Sequence, residues 1–140
     1  MDISVNRRWL RAVVVFGTIY GVIGIISGTF PVSSNEMRIA LRLVAWLVSA
    51  VGFAAHIWYE GSRLHDLPRT SALHVSMAVA LGALILAVAA NVHELSTASN
   101  YRSSIAIALV TWPALTAVPA YFVALASAAV LRRIRRERGE

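Results

Sequence analysis

The sequence contains no cysteine and no lysine, and charged residues occupy only 14% of its 140 positions. The absence of cysteine excludes disulfide bonds, iron–sulfur clusters and thiolate zinc sites. Hydrophobic residues make up 58% of the chain, whereas soluble domains contain roughly 45–50% apolar and about 25% charged residues. Because a soluble domain of this size needs more polar surface than this chain supplies, the composition favours a protein embedded in a bilayer.

The few charged residues are spaced so that long apolar segments lie between them. Four such segments, at about 10–30, 39–59, 70–92 and 104–131, each contain the roughly 20 residues that a helix needs to cross the hydrocarbon core. Lipid offers no partner to free backbone groups, and these segments are too long and continuous for barrel strands. We therefore predict an all-α fold, a polytopic membrane protein whose four-transmembrane-helix bundle forms a single transmembrane domain over residues 1–140.

The arginines predict the orientation of the spans. Three precede the first span, two lie in the second loop and five follow the fourth span, which makes ten against the three in the first and third loops. Because cytoplasmic segments carry an excess of basic residues, we expect both the N- and the C-terminus in the cytoplasm. The general appearance resembles that of small four-span bacterial membrane proteins, so we expect an integral protein of the bacterial cytoplasmic (inner) membrane.

Residues 132–140 are predicted to form a basic cytoplasmic tail. Such segments attract the anionic headgroups of a lipid bilayer by about 1 kcal/mol per basic residue near the surface. We expect no nucleic-acid partner, because the chain has no folded module that would present these arginines to a nucleic acid. The lipid-facing arginines are Arg132, Arg133, Arg135, Arg136 and Arg138.

Glycines in the first span predict close helix packing. Gly17, Gly21, Gly24 and Gly28 are spaced by four, three and four residues, which places them on one helix face. Two of the pairs form GxxxG motifs, which let membrane helices approach closely. The partner is either another helix of the same chain or a helix of a second protein, which would be a membrane-protein partner or another copy in a homo-oligomer.

The fourth span is interrupted by prolines. Pro113 and Pro119 each remove a backbone hydrogen bond, and we expect Thr111 and Thr116 to bond some of the freed carbonyls. A straight helix over 103–131 would be roughly 43 Å long, so we expect tilt, a kink or an extension beyond the lipid. Broken helices line the binding sites of some transporters, while a kinked packing helix is the simpler interpretation.

His56, Glu60 and His74 form a candidate site near the cytoplasmic boundary. His56 and Glu60 lie one helical turn apart, and the antiparallel third span brings His74 to the same level. Imidazole and carboxylate are suitable ligands for Zn, Mn or Fe(II), so this set is a candidate metal site. Haem ligation by the two histidines is a further alternative. The simplest interpretation is an interfacial polar network with no cofactor.

A second polar cluster, on the outer side, contains Arg42, Asn91 and Glu94. Arg42 lies one turn inside its helix, and we expect an ion pair or hydrogen bond that fixes the second span to the third. An anion-binding or substrate-entry role is the alternative. No aspartate or glutamate lies in the core of a predicted span, which argues against a proton-coupled antiporter, because such proteins depend on a buried carboxylate.

These patterns favour a non-enzymatic integral membrane protein that acts by helix association, as an accessory subunit or a homo-oligomer. The sequence contains no nucleotide-binding loop and no serine–histidine–aspartate set, so we do not predict an enzyme. A small channel or transporter is the first alternative, because of the two prolines and Arg42. A metal- or haem-binding protein that uses His56, Glu60 and His74 is the second.

Overall fold

The structure, a computed structural model, describes residues 3–64, 67–97, 103–137 and 139. Apart from short connections these residues are helical, and four helices are long and apolar enough to cross a membrane. The prediction of an all-α chain with four such helices is therefore confirmed. The elements are α1 (Ile3–Thr29), α2 (Asn35–Tyr59), a π-helical turn (Glu60–Leu64), α3 (Pro68–Thr97) and α4 (Ser103–Glu137).

Helix α3 is the central element of the bundle. It packs along both α1 and α4, whereas α2 makes far fewer contacts, mostly with α1. Residues of α1 meet residues of α3 in the same order along the chain, Gly17 beside Leu81 and Gly21 beside Ile85, so these two helices run parallel. The start of α1, the end of α2, the start of α3 and the end of α4 consequently share one end of the bundle, here named the Glu60 end.

The contact between α1 and α3 depends on glycines from both helices. A Cβ atom added at Gly17 would lie 2.9 Å from the carbonyl oxygen of Ala78, and one added at Gly82 would lie 2.6 Å from the Cβ atom of Tyr20. Real Cβ atoms do not approach other atoms so closely, so the backbones can meet here only without side chains. Gly82 belongs to no GxxxG motif, and its role in this contact was not predicted.

The predicted glycine face of α1 is used unevenly. Gly21 lies against Ile85, where an added Cβ atom would be 2.7 Å from the side chain, and Gly24 faces Leu86 at 3.2 Å. An added Cβ atom at Gly28 would meet nothing within 4 Å among the described residues. Most of this face therefore packs against a helix of the same chain.

Buried apolar side chains concentrate at the Glu60 end. Ile57, Ala72, Val75 and Ala124 form a cluster there that joins α2, α3 and α4. Elsewhere α2 is mostly exposed: among its described residues the buried ones are His56 and Ile57, although Gly52 lies beside the ring of Tyr20. The second helix is thus anchored by its last turn.

Helix α4 continues through both prolines and beyond the predicted end of the span at residue 131, so the arginines after it extend the helix as far as Glu137. Arg138 lies outside the described residues. The hydroxyl of Thr111 donates to the carbonyl of Ile107, and that of Thr116 to those of Trp112 and Pro113. The two prolines leave the carbonyls of Leu109 and Leu115 without an amide donor. Neither threonine donates to these carbonyls, so that prediction was wrong.

Candidate functional site

The candidate site begins where α2 changes its helical geometry. The helix does not stop at Tyr59 but continues as a π-helical turn over Glu60–Leu64. The backbone N–H of Glu60 donates to the carbonyls of His56 and Ile57, so the α-helical bonding of α2 continues up to this residue. Single π-helical turns are frequent at functional sites, because they redirect side chains within a helix. Here the Glu60 side chain is turned into the bundle, with 0% exposure, whereas the sequence analysis assigned it to a boundary cluster.

Two histidines hold the Glu60 carboxylate. Nδ1 of His74 lies 2.9 Å from Oε2, which is hydrogen-bond distance, while Nε2 of His56 lies 3.5 Å from Oε1. The side chains of His56 and Glu60 are fully buried, and His74 is 7% exposed. A buried carboxylate without a partner costs several kcal/mol, and an adjacent imidazole that donates a hydrogen bond or carries a proton offsets that cost. The structure thus brings all three predicted residues together.

Each imidazole is also stacked on an aromatic ring of α1. The ring of Trp9 lies 4.6 Å from that of His74 at an interplanar angle of 5°, and the ring of Phe16 lies 4.2 Å from that of His56 at 7°. Trp9 and Phe16 are seven residues apart, which is two helical turns, so one face of α1 covers both histidines. Helix α1 therefore orients the two rings and shields the site.

One half of the cluster has unused hydrogen-bonding capacity. Three buried atoms of the cluster have no hydrogen-bond partner within the described part of the chain. They are the two ring nitrogens of His56 and Oε1 of Glu60. Buried polar side-chain atoms are satisfied in the large majority of cases. We call the contact between Glu60 and His74 closed, because its two polar atoms are at hydrogen-bond distance. We call the contact between Glu60 and His56 open, because its two polar atoms are 3.5 Å apart and form no hydrogen bond.

The geometry of the three side chains favours neither a metal site nor a haem site. Among the described residues, no group of three histidine, cysteine, aspartate or glutamate side chains is arranged to hold a metal ion. Haem ligation would need a porphyrin plane between the imidazoles of His56 and His74. Both rings instead turn a nitrogen towards one carboxylate, and each is covered by an aromatic ring. This packing does not favour a porphyrin between them.

The outer cluster is only partly described. Arg42 is exposed, whereas Asn91 is buried and its side-chain amide donates to the carbonyl of Ala87 in its own helix, at 2.8 Å. The side chain of Glu94 lies outside the described residues, so its ion pair with Arg42 stays a prediction. The arginines at the end of α4 lie at the Glu60 end, where Nη1 of Arg135 donates to the carbonyl of Gly61 at 2.8 Å.

No protein family, curated protein or solved structure matches this chain. The function must therefore be inferred from the site itself. Two parts of that site, Trp9 and Phe16, were not predicted from the sequence. The seven-residue spacing between these aromatics was a visible signal, but the sequence did not show which helix they would cover.

Proposed function

We propose that the protein is a small channel or transporter that moves protons, with His56, Glu60 and His74 as the proton-binding site. The observation that carries the proposal is the fully buried Glu60 carboxylate between two imidazoles at the end of two membrane helices. Ionisable residues buried in a membrane protein commonly mark proton relays. The absence of an acid from the core of the predicted spans argued against proton coupling, but Glu60, at the end of α2, is fully buried.

The open and closed contacts supply a simple proton step. A proton shared by His74 and Glu60 occupies the closed contact, and Oε1 of Glu60 and Nε2 of His56 need to approach by only a few tenths of an ångström to share another. The proton passes between nitrogen and oxygen lone pairs, and no covalent bond other than those to hydrogen changes. Aromatic rings of α1 exclude bulk water from both histidines while this happens.

Buried polar groups continue from this site towards the opposite end of the bundle. Ser76 and Asn91 are buried on α3, fifteen residues or roughly 22 Å apart along the helix. The hydroxyl of Tyr20 is buried between these levels, since Tyr20 packs against Gly82, and it has no hydrogen-bond partner among the described residues. Water molecules between such groups would complete a proton path.

The proposal is tested in lipid vesicles that contain the purified protein and a trapped pH-sensitive dye. After a step in external pH, we expect the wild-type protein to collapse the pH gradient faster than protein-free vesicles do. Glu60→Gln should return the rate to that of protein-free vesicles, because glutamine cannot carry the proton. Glu36→Gln is the matched control, since Glu36 is exposed in the first turn of α2. Equal rates for both variants would contradict the proposal.

A second variant tests the path beyond the site. Tyr20→Phe removes only the buried hydroxyl, so we expect slower collapse of the gradient with the fold retained. Tyr59→Phe makes the same chemical change at a more exposed tyrosine and should leave the rate unaltered. If Tyr20→Phe conducts as fast as the wild-type protein, the path does not use this hydroxyl.

Association with a second membrane protein or a second copy is the other candidate function, and the exposure of α2 favours it. Trp46 is 80% exposed, and Leu47 lies beside it on a helix that contributes little to the bundle. The glycine face of α1 no longer supports this function, because most of it packs on α3. Since the chain has no native cysteine, an added oxidant such as copper phenanthroline, which accepts the two electrons, should convert Leu47→Cys to disulfide-linked dimers in membranes, whereas Val118→Cys on α4 should remain monomeric. Monomers from both variants would count against a homo-oligomer through α2.

A further inference from the structure

A cavity of about 800 Å³ opens at the Glu60 end, between the π-helical turn, the start of α3 and the last turns of α4. Its volume falls within the range of about 300–1,000 Å³ that small-ligand sites occupy. One wall is apolar and contains Ile57, Ala128 and Leu131. The cavity lies beside the proton site but includes none of its three side chains.

The other wall of the cavity is strongly basic. Arg132, Arg133, Arg135 and Arg136 all line it, and Arg133 is paired with Glu137, whose Oε1 lies 3.1 Å from its Nε. Arg135 is held in place, because it donates to the carbonyl of Gly61 and its guanidinium lies 5.6 Å from the centre of the Trp58 ring. Four cationic groups against this one acid leave an excess of positive charge that favours an anionic ligand, and guanidinium groups match the geometry of phosphate oxygens.

We propose that this cavity binds the phosphate headgroup of an anionic phospholipid. A free anion would need only the arginines, whereas a phospholipid uses both walls, with its phosphate at Arg132 and Arg136 and its acyl chains along the apolar side. The cavity also lies at the ends of membrane helices, which is the level of the headgroups. Basic pockets at this level are typical of binding sites for lipids with more than one phosphate, so cardiolipin is the probe that fits best. This inference does not depend on the proton proposal.

The test measures lipid binding to the full chain in a zwitterionic detergent, by native mass spectrometry with added cardiolipin. We expect the wild-type protein to retain cardiolipin, and Arg132→Gln/Arg136→Gln to bind it about 30-fold more weakly. The matched control is Arg38→Gln/Arg42→Gln, which removes the same charge from exposed positions at the opposite end of α2. We expect this control to weaken binding less than threefold.

Two further arms separate a built site from general charge attraction. Arg132→Lys/Arg136→Lys keeps the charge but not the planar guanidinium groups, so a built phosphate site should bind cardiolipin more weakly in this variant, whereas general charge attraction would leave binding unchanged. Circular dichroism should show that the glutamine and lysine variants keep their helices. Glycerol phosphate without acyl chains should not displace cardiolipin, because it cannot use the apolar wall. The proposal is overturned if the control variant loses as much binding as Arg132→Gln/Arg136→Gln, or if glycerol phosphate competes with cardiolipin at equal concentration.

Discussion

The Glu60 carboxylate lies 2.9 Å from Nδ1 of His74, and this contact joins the end of α2 to the start of α3 across fourteen residues of chain. It fixes the short connection between two antiparallel helices through a buried polar contact. Polar contacts buried in a bundle destabilise the fold strongly when one partner is lost, because the remaining group keeps its desolvation cost. The contact therefore contributes to stability as well as to the proposed proton chemistry.

Removal of one partner of this contact should destabilise the fold. We expect His74→Leu to lower the free energy of unfolding by about 3–5 kcal/mol, because it leaves the Glu60 carboxylate buried beside an apolar side chain. The measurement is an SDS titration in mixed micelles, followed by helical circular dichroism. In a Glu60→Gln background the same substitution should cost much less, since no buried charge remains. An equal loss in both backgrounds would show that the two side chains are not coupled.

The stack between α1 and His56 should have a measurable effect of its own. Phe16→Leu keeps an apolar side chain but removes the aromatic ring 4.2 Å from the imidazole. We expect a loss of about 0.5–1.5 kcal/mol in the free energy of unfolding beyond the effect of buried area. Phe30→Leu is the control, because Phe30 is exposed after the end of α1. Similar changes in the two variants would mean that the ring contributes only apolar area.

The crossing of α1 and α3 should tolerate no added methyl group. Gly82→Ala would place a Cβ atom 2.6 Å from that of Tyr20, so the helices must separate, at a cost of about 1–3 kcal/mol in the free energy of unfolding. Gly28→Ala meets no described atom within 4 Å, so we expect it to be neutral or to stabilise α1 by up to about 1 kcal/mol. The same SDS titration compares the two variants. A neutral Gly82→Ala would contradict the close crossing.

Several features of the site could be predicted from residue spacing alone. His56 and Glu60 are one turn apart on any continuous helix, and a short loop returns His74 to the same level, so the three residues could be grouped before the structure. The burial of Glu60 could not be predicted in this way. It depends on a π-helical turn and on coverage by Trp9 and Phe16, which lie 51 and 44 residues before Glu60 in the chain.

The four membrane-length helices were determined by the sequence itself, because a run of about 20 apolar residues is a local property. Lipid offers no hydrogen-bond partner to such a run, so its backbone groups must bond to one another, as they do in a helix. The tertiary structure decided which helix receives the glycines of α1. It selected α3, where Gly82 allows close approach, and left most side chains of α2 exposed. The tertiary structure also enclosed the polar end of α2. Glu60 is buried there because the packing of the helices brings side chains from distant parts of the chain over it.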